Sequence, residues 1–395
     1  MSKKVVLLLQ GGGALGAFQC GAWKTLFPFM RENGHELVAV AGTSIGAVNA
    51  GLIARHCHAA DGGSDMLERF WRTVLATAPI PFLPFPGEYW RAWNGLLTGL
   101  LLGNGALFHP LYLHWNQIGD MFRFHMPLYQ TENAEQTLAQ TFGEYHGRAP
   151  LLAVSATDVA SGEAVLFNSA SQTITPKVLA ASMAIPILFP SVELDGRHYW
   201  DAEVRSNSLL PDVFALLRQQ RQRQRHAKPS EFLVIVVDMF RPDATSTPTT
   251  TIQSYYRLLD IVLGNKLKYD QRAFETGNAY LEAMERIHRL ASHENRSPLT
   301  SAIGDEYKKV LAQGLARVEF LHVGRRHFEY EYISRDFDYS PQYIARLIAQ
   351  GVESASNAIK DYQQRDGTEG ESGFEPFHRV PRPSGSTKKH YPRLV

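Results

Sequence analysis

Two cysteines, Cys20 and Cys57, in 395 residues are too few for a disulfide framework. Neither stands in a Cys-x-x-Cys or Cys/His pair with zinc-ligand spacing, so a reducing compartment is the simplest setting. Charge of one sign is also lacking: 40 Lys plus Arg against 39 Asp plus Glu leave a net charge of +1, which argues against a protein that coats nucleic acid. No long hydrophobic run is present. Val5 to Leu9 is followed at once by Gln10 and three glycines, too short for a signal-peptide core. The apolar stretch 95–108 is broken by Thr98, Gly99, Gly103, Asn104 and Gly105 and falls short of the roughly 20 residues a spanning helix needs. No His, Cys or carboxylate set with metal-ligand spacing stands out, so neither a metal nor a cofactor is expected.

What is present is enough apolar material for a large core, 44% hydrophobic and 11% aromatic. At about 150 residues per domain the length points to two or so domains. The first 60 residues read as strand 5–10, glycine turn 11–13, helix 14–31, strand 37–41, tight turn 42–46 and helix 45–58, a βαβα pattern that predicts a parallel sheet with crossover helices. Strands are expected again at 151–156, 164–168, 192–194 and 232–238, with a helix at 175–183. Between them, 78–130 reads as a lid-like insertion rich in aromatics, including Phe82, Phe85, Trp90 and Trp93. An α/β domain therefore spans 5–240, and 250–362 reads as a smaller α-rich appendage with a helix at 252–295, a strand at 317–323 and a helix at 341–362. The remainder, 363–395, is rich in Gly, Pro, Ser and basic residues and reads as a mobile tail.

Two turns carry the chemistry. Gly42-Thr43-Ser44-Ile45-Gly46 lies between a strand and a helix, the setting of a nucleophile elbow in which flanking glycines relieve crowding around an exposed serine. At a helix N-terminus the Ile45 amide is placed to meet developing negative charge. Gln10-Gly11-Gly12-Gly13-Ala14-Leu15-Gly16 ends the first strand, and its consecutive glycines can turn backbone N–H groups inward. It contains a G-x-G-x-x-G spacing, but the second strand ends in Gly42 and the serine turn where a dinucleotide site would need an acidic residue. An oxyanion hole beside a nucleophile fits both turns better. Only one βα unit precedes Ser44, which argues against the α/β-hydrolase order, although fifteen histidines leave a Ser-His-Asp triad open on supply. A carboxylate held dry could also take the serine proton. Asp158 reads as a turn cap toward Gly162, and Asp195, before Gly196, as a hairpin turn residue.

With these motifs in their order, the chain resembles the patatin-like phospholipase family. The matching residues are Gly11 to Gly16, Gly42 to Gly46, Ala156-Thr157-Asp158, Ala181-Ser182 with Pro186, and Trp200-Asp201 followed by Asn207 and Pro211. The resemblance implies a three-layer α/β/α fold with a mostly parallel central sheet. It implies Ser44 as nucleophile and Asp201 as general base, with the oxyanion held by the glycine loop at Gly12 and Gly13, beside Gly11, and by Ile45. Gly16, Gly42 and Gly46 are the remaining motif glycines. Two departures stand out: Leu15 where the family usually has Arg or Lys, and Asp201-Ala202-Glu203 where it usually has Asp-Gly-Gly or Asp-Gly-Ala. The second adds a carboxylate that alters the pKa or access of Asp201.

The function implied is a serine acyl-ester hydrolase working through an acyl-serine on lipid esters such as phospholipids or lysophospholipids. The competing readings are a short-chain or polyester-type hydroxyacyl esterase and a catalytically weak lipid-binding scaffold. The expected partner is a lipid or acyl-ester substrate, with no nucleic acid, and the expected location is cytoplasmic with peripheral contact at the inner membrane face, the aromatic insertion supplying acyl-pocket walls or lipid contact.

Overall fold

Val5 to Leu9 contains no polar residue, so a strand made of it has no face suited to water and must be covered on both sides. It forms β1 (Lys4–Leu9), followed by α1 (Ala17–Glu32), β2 (Glu36–Gly42), α2 (Ile45–His56), α3 (Ser64–Arg69), α4 (Glu88–Leu102) and α5 (Glu132–Thr141). The chain continues through β3 (Leu151–Asp158), β4 (Ala164–Asn168), α6 (Pro176–Ser182), β5 (Val192–Leu194), β6 (Arg197–Asp201), α7 (Leu210–Gln222) and β7 (Glu231–Asp238), and ends with α8 (Thr251–His293), β8 (Arg317–Gly324), α9 (Glu331–Ser334) and α10 (Pro341–Thr368). The computed structural model describes residues 2–111, 127–147, 149–205, 208–222, 231–240, 247–293, 302–303, 305–306 and 317–368. Asn207 and most of the expected tail lie outside them.

The sheet runs in the order β8-β7-β1-β2-β3-β6-β5, with β4 also on β3. The five strands from β8 to β3 are parallel, and β4, β5 and β6 add antiparallel pairs. Alternation along β1 divides the core. Val5, Leu7 and Leu9 face α1, α2 and α10, while Val6 and Leu8 face α7 and α8. This is the three-layer α/β/α arrangement, and each fully buried Val or Leu in it contributes about 1.5–3 kcal/mol.

The C-terminal stretch expected as an appendage shares both sheet and core with the first 240 residues. β8 pairs along its whole length with β7, and α10 lies against α1 so closely that a Cβ on Gly21 would fall 1.9 Å from the Ile348 carbonyl oxygen and one on Gly351 would fall 2.1 Å from that of Phe18. Backbone here cannot yield as a side-chain tip would. Gly351→Val is therefore expected to cost about 3 kcal/mol or more of stability; an unchanged midpoint in urea unfolding would show that the two helices do not depend on this contact.

Three local expectations are revised. The turn 13–16 is 3-10, and the α-helix begins only at Ala17. The final helix runs to Thr368 rather than stopping at Tyr362, because nothing in Gln363-Gln364-Arg365-Asp366 breaks it before Gly367. Within the aromatic insertion 88–102 is a helix, and a second helix, 132–141, follows it, while Tyr112, Trp115, Phe122 and Phe124 lie outside the described residues.

Candidate active site

Register brings the site together. On β3, Val154 pairs with Gly42 and Ala156 pairs with Asp201, so the end of β2 and the end of β6 meet the same strand two residues apart. Ser44 follows the first end and Asp201 is the second. Sequence reading identified Asp201 but not its strand, since Arg197-His-Tyr-Trp-Asp201 is too short and polar to announce one.

Ser44 adopts φ 55° and ψ −132°, a conformation that costs an L-residue roughly 1–3 kcal/mol. The surroundings impose it. A Cβ at Gly42 would stand 2.2 Å from the Gly46 carbonyl oxygen, and one at Gly46 would stand 2.4 Å from that of Leu9. Both motif glycines are thus required by close backbone approach. The Ser44 N–H donates to Ser182 Oγ at 3.0 Å, and Ser182 in turn donates to the Ser155 carbonyl at 2.7 Å. This buried relay locks the elbow to β3 and leaves Ile45 as the first residue of α2.

The glycine loop lies beside it. Gly12 (φ 137°) and Gly13 (φ 55°) occupy backbone regions open mainly to glycine. The next amide, Ala14, donates to the Asp336 carbonyl at 3.0 Å, whereas Gly12 and Gly13 donate to nothing among the described residues. Gly16 packs against Trp71. Beneath the loop, the buried Asn49 donates to the Gly16 carbonyl at 3.0 Å and to Gln19 at 2.7 Å and accepts from the Trp71 indole at 3.0 Å, while Gln19 donates to the Gln10 carbonyl at 2.6 Å. Sequence reasoning passed over Gln19 and Asn49; two amides on buried helix faces were the available signal.

Asp201 is fully buried. Its Oδ1 accepts from the Glu203 N–H at 2.9 Å. Its Oδ2 is sealed from solvent without a well-formed hydrogen bond. Desolvation pushes its pKa up to about 7, opposed by the Glu203 amide and by the neighbouring Ser44 hydroxyl. Two further acids share the enclosure. Burial, then the charges of Asp201 and Asp336, push Glu203 well above the usual carboxylate range. Asp336, a quarter of whose side chain reaches solvent, is pushed up to about 6 by burial against the pull of Arg335.

A cavity of about 60 Å³ opens beside Ser44, walled by Ile45, Leu107, Phe108, Met183, Phe189 and Tyr339, with Gly13 at its edge. Within the insertion the walls are Leu107 and Phe108. Phe82 and Phe85, expected as wall or lid, are 40% and 54% exposed, with the Phe85 ring tilted against Trp90 at 4.8 Å between centroids. Tyr339 and Asp336 come from the far C-terminus, so that part of the chain closes over the glycine loop.

The competing carboxylates serve turns. Asp158 Oδ1 accepts from the amides of Ala160 and Ser161 at 3.0 and 2.9 Å, and Asp195 (φ 50°) with Gly196 (φ 75°) turns the β5–β6 hairpin. No group of three or more His, Cys, Asp or Glu among the described residues is arranged to hold a metal ion.

No curated protein sequence matches the chain. Among solved structures, VipD from Legionella pneumophila is similar at 13% identity and a TM-score of 0.36, covering 91% of this chain and 67% of that one. The ExoU–SpcU heterodimeric complex of the Pseudomonas aeruginosa type III secretion system is similar at 14% identity and a TM-score of 0.25, covering 92% and 76%. The model of the patatin-like phospholipase domain matches residues 7–214, from β1 through the glycine loop, the serine elbow and Asp201. With more than half of its length under that match and an α/β sheet of the expected layering around it, the chain belongs to the patatin-like phospholipase family, and is an ester hydrolase of that kind.

Proposed function

We propose that Ser44 and Asp201 form a catalytic dyad that hydrolyses lipid esters through an acyl-serine. The observation that carries this is the pairing of a strained serine at a helix N-terminus with a buried carboxylate poised near neutral pH. As Ser44 Oγ attacks the ester carbonyl, its proton passes to Asp201 and the negative charge moves to the carbonyl oxygen. The amides of Gly12, Gly13 and Ile45, beside Gly11, stabilise that oxyanion. Collapse expels the alcohol, which takes the proton from Asp201. Water then enters, Asp201 accepts one of its protons, and the acid leaves as Ser44 recovers its own. Leu15 adds no cation to the loop, so its amides and the α2 terminus carry the electrostatic work.

The almost wholly apolar walls of the cavity support a substrate with an acyl chain. Phospholipids and lysophospholipids are the leading candidates. Exposed Leu101, Leu102 and Ile187 supply apolar surface for peripheral contact with a membrane on the cytoplasmic side. No helix among the described residues is long and apolar enough to cross a membrane.

One observation favours a second reading. A volume of about 60 Å³ is small against the roughly 300–1,000 Å³ of typical ligand sites, which favours short-chain or hydroxyacyl esters unless Leu107, Phe108 and Phe189 part. Hydrolysis of p-nitrophenyl esters from butyrate to palmitate, and then of phospholipid vesicles, separates these readings. Phe108→Ala is expected to move the preferred chain length upward, raising palmitate over butyrate turnover by about tenfold for the 1–3 kcal/mol that a few methylenes contribute. An unmoved profile would place the acyl chain elsewhere. No Ser44-dependent turnover of any ester would favour a lipid-binding scaffold instead.

A further inference from the structure

Helix α8 is apolar on two opposite faces. One carries Tyr256, Leu263, Leu267 and Leu281, which the rest of the chain buries. The other carries Tyr255, Leu258, Val262, Tyr269, Tyr280 and Leu290, each more than half exposed. A helix that is apolar all round is normally covered all round, and a contiguous apolar stripe on a surface marks an interaction site. Ala273, Thr276, Ala283 and Ile287 fill in this stripe and are exposed too. Its residues therefore recur at the three- and four-residue steps by which one helix packs along another, over a length of about 50 Å.

The stripe has the same spacing read from either end. Turned end for end onto a second copy, Tyr255 meets Leu290, Leu258 meets Ile287, Val262 meets Ala283 and Tyr269 meets Thr276, the two residue numbers having one sum in every pair, with Ala273 at the centre. Large side chains thus stand against small ones in the inner layers, and Ala273 lets the helices approach closely at the midpoint. A parallel pairing would instead set Tyr269 on Tyr269 and Ala283 on Ala283, crowding one layer and emptying another.

We infer that this face of α8 is an interaction surface for a second copy of the chain, the two helices lying antiparallel about a two-fold axis at Ala273. The self-match of the stripe commits it to a second copy, because neither a lipid surface nor an unrelated helix requires that symmetry. Area and charge agree. The large exposed side chains offer on the order of 100 Å² each, so pairing buries roughly 700–800 Å² per copy, the size of a stable interface. Arg272 and the second copy's Glu275 come to one edge of the seam, an opposite-charge pair that the two-fold makes twice. Nothing in this inference depends on ester hydrolysis at Ser44.

The test is sedimentation equilibrium of the full chain from about 0.1 to 50 µM. Wild type is expected to reach twice its 44.3 kDa, with a dissociation constant of about 1 µM or less. Val262→Glu/Tyr269→Glu puts charges into the inner layers and should weaken the dimer by about 100-fold or more. Its helix content by circular dichroism should match wild type, since both side chains lie on the surface. Oxidation reads the orientation. Ala273→Cys should give a disulfide-linked dimer, and Tyr255→Cys only when mixed with Leu290→Cys, with wild type, which keeps Cys20 and Cys57, as the blank. A dimer that the double substitution leaves intact, or a Tyr255→Cys chain that links to itself, would overturn the inference. So would a monomer at every concentration; if that monomer bound phosphatidylglycerol vesicles and the double variant did not, the stripe would belong to a membrane instead.

Discussion

Ser44→Ala is expected to lower ester turnover by about 10⁴-fold or more, the loss usual when the nucleophile of a serine hydrolase is removed and only binding and oxyanion contacts remain. The folded state should hardly notice. The relay that fixes the elbow uses the Ser44 N–H, not its hydroxyl, so alanine keeps it. Glycine offers a sharper comparison. At φ 55° and ψ −132° any side chain carries strain that glycine does not, so Ser44→Gly should be equally inactive yet more stable than wild type by about 1–2 kcal/mol. Activity on p-nitrophenyl butyrate and urea midpoints for the three proteins measure both effects. Residual turnover within tenfold of wild type in either variant would remove Ser44 from the chemistry, and a glycine variant less stable than the alanine one would mean that the turn is not strained.

The serine turn was readable because its causes are local: a strand, two glycines and a helix start within a few residues, and the close approaches that demand those glycines confirm the pattern. The parallel β1–β2 pair and the strands expected at 151–156 and 232–238 were equally plain, being largely apolar runs that the fold buries on both faces. Long-range closure was not. Ser182 steadies Ser44 from 138 positions away, and Asp336 reaches the glycine loop from more than 300 residues along the chain to accept the Ala14 N–H. No periodicity encodes such meetings; they follow from β8 joining the sheet and α10 lying on α1. The aromatic insertion misled for another reason. Phe82 and Phe108 are the same residue type, yet one is 40% exposed and the other 4%, and only the path of the chain decides which one walls the cavity. Glu203 shows a middle case: its sequence position announced a carboxylate near Asp201, whereas only the fold reveals that its end is pressed onto Gly11.

Asp201→Asn should oppose activity and stability most clearly. An amide cannot accept the serine proton, so turnover is expected to fall by about 10³–10⁴-fold, as for the loss of a general base. In the wild type only the ionised carboxylate serves, so kcat/KM on a non-titrating ester should rise with pH and level off above an apparent pKa of about 7. The same shift has a stability sign. In the unfolded chain this group titrates at 3.8 and in the folded protein at about 7, so between those values the folded state binds the extra proton. Wild-type stability therefore falls as pH rises from about 4 to about 7, and above that the buried charge costs on the order of 4 kcal/mol. Asparagine keeps the acceptor for the Glu203 N–H and never ionises. At pH 8 the variant should thus be more stable than wild type by up to that amount, with the difference shrinking through pH 6 and vanishing near pH 4. Glu203, shifted in the same direction, leaves the variant a residual slope that Asp201→Asn/Glu203→Gln should flatten. Urea midpoints at pH 4, 6 and 8 measure it. A variant less stable than wild type at pH 8, or a rate that climbs through pH 4 to 5 and is flat beyond, would mean that Asp201 is not held dry beside the serine.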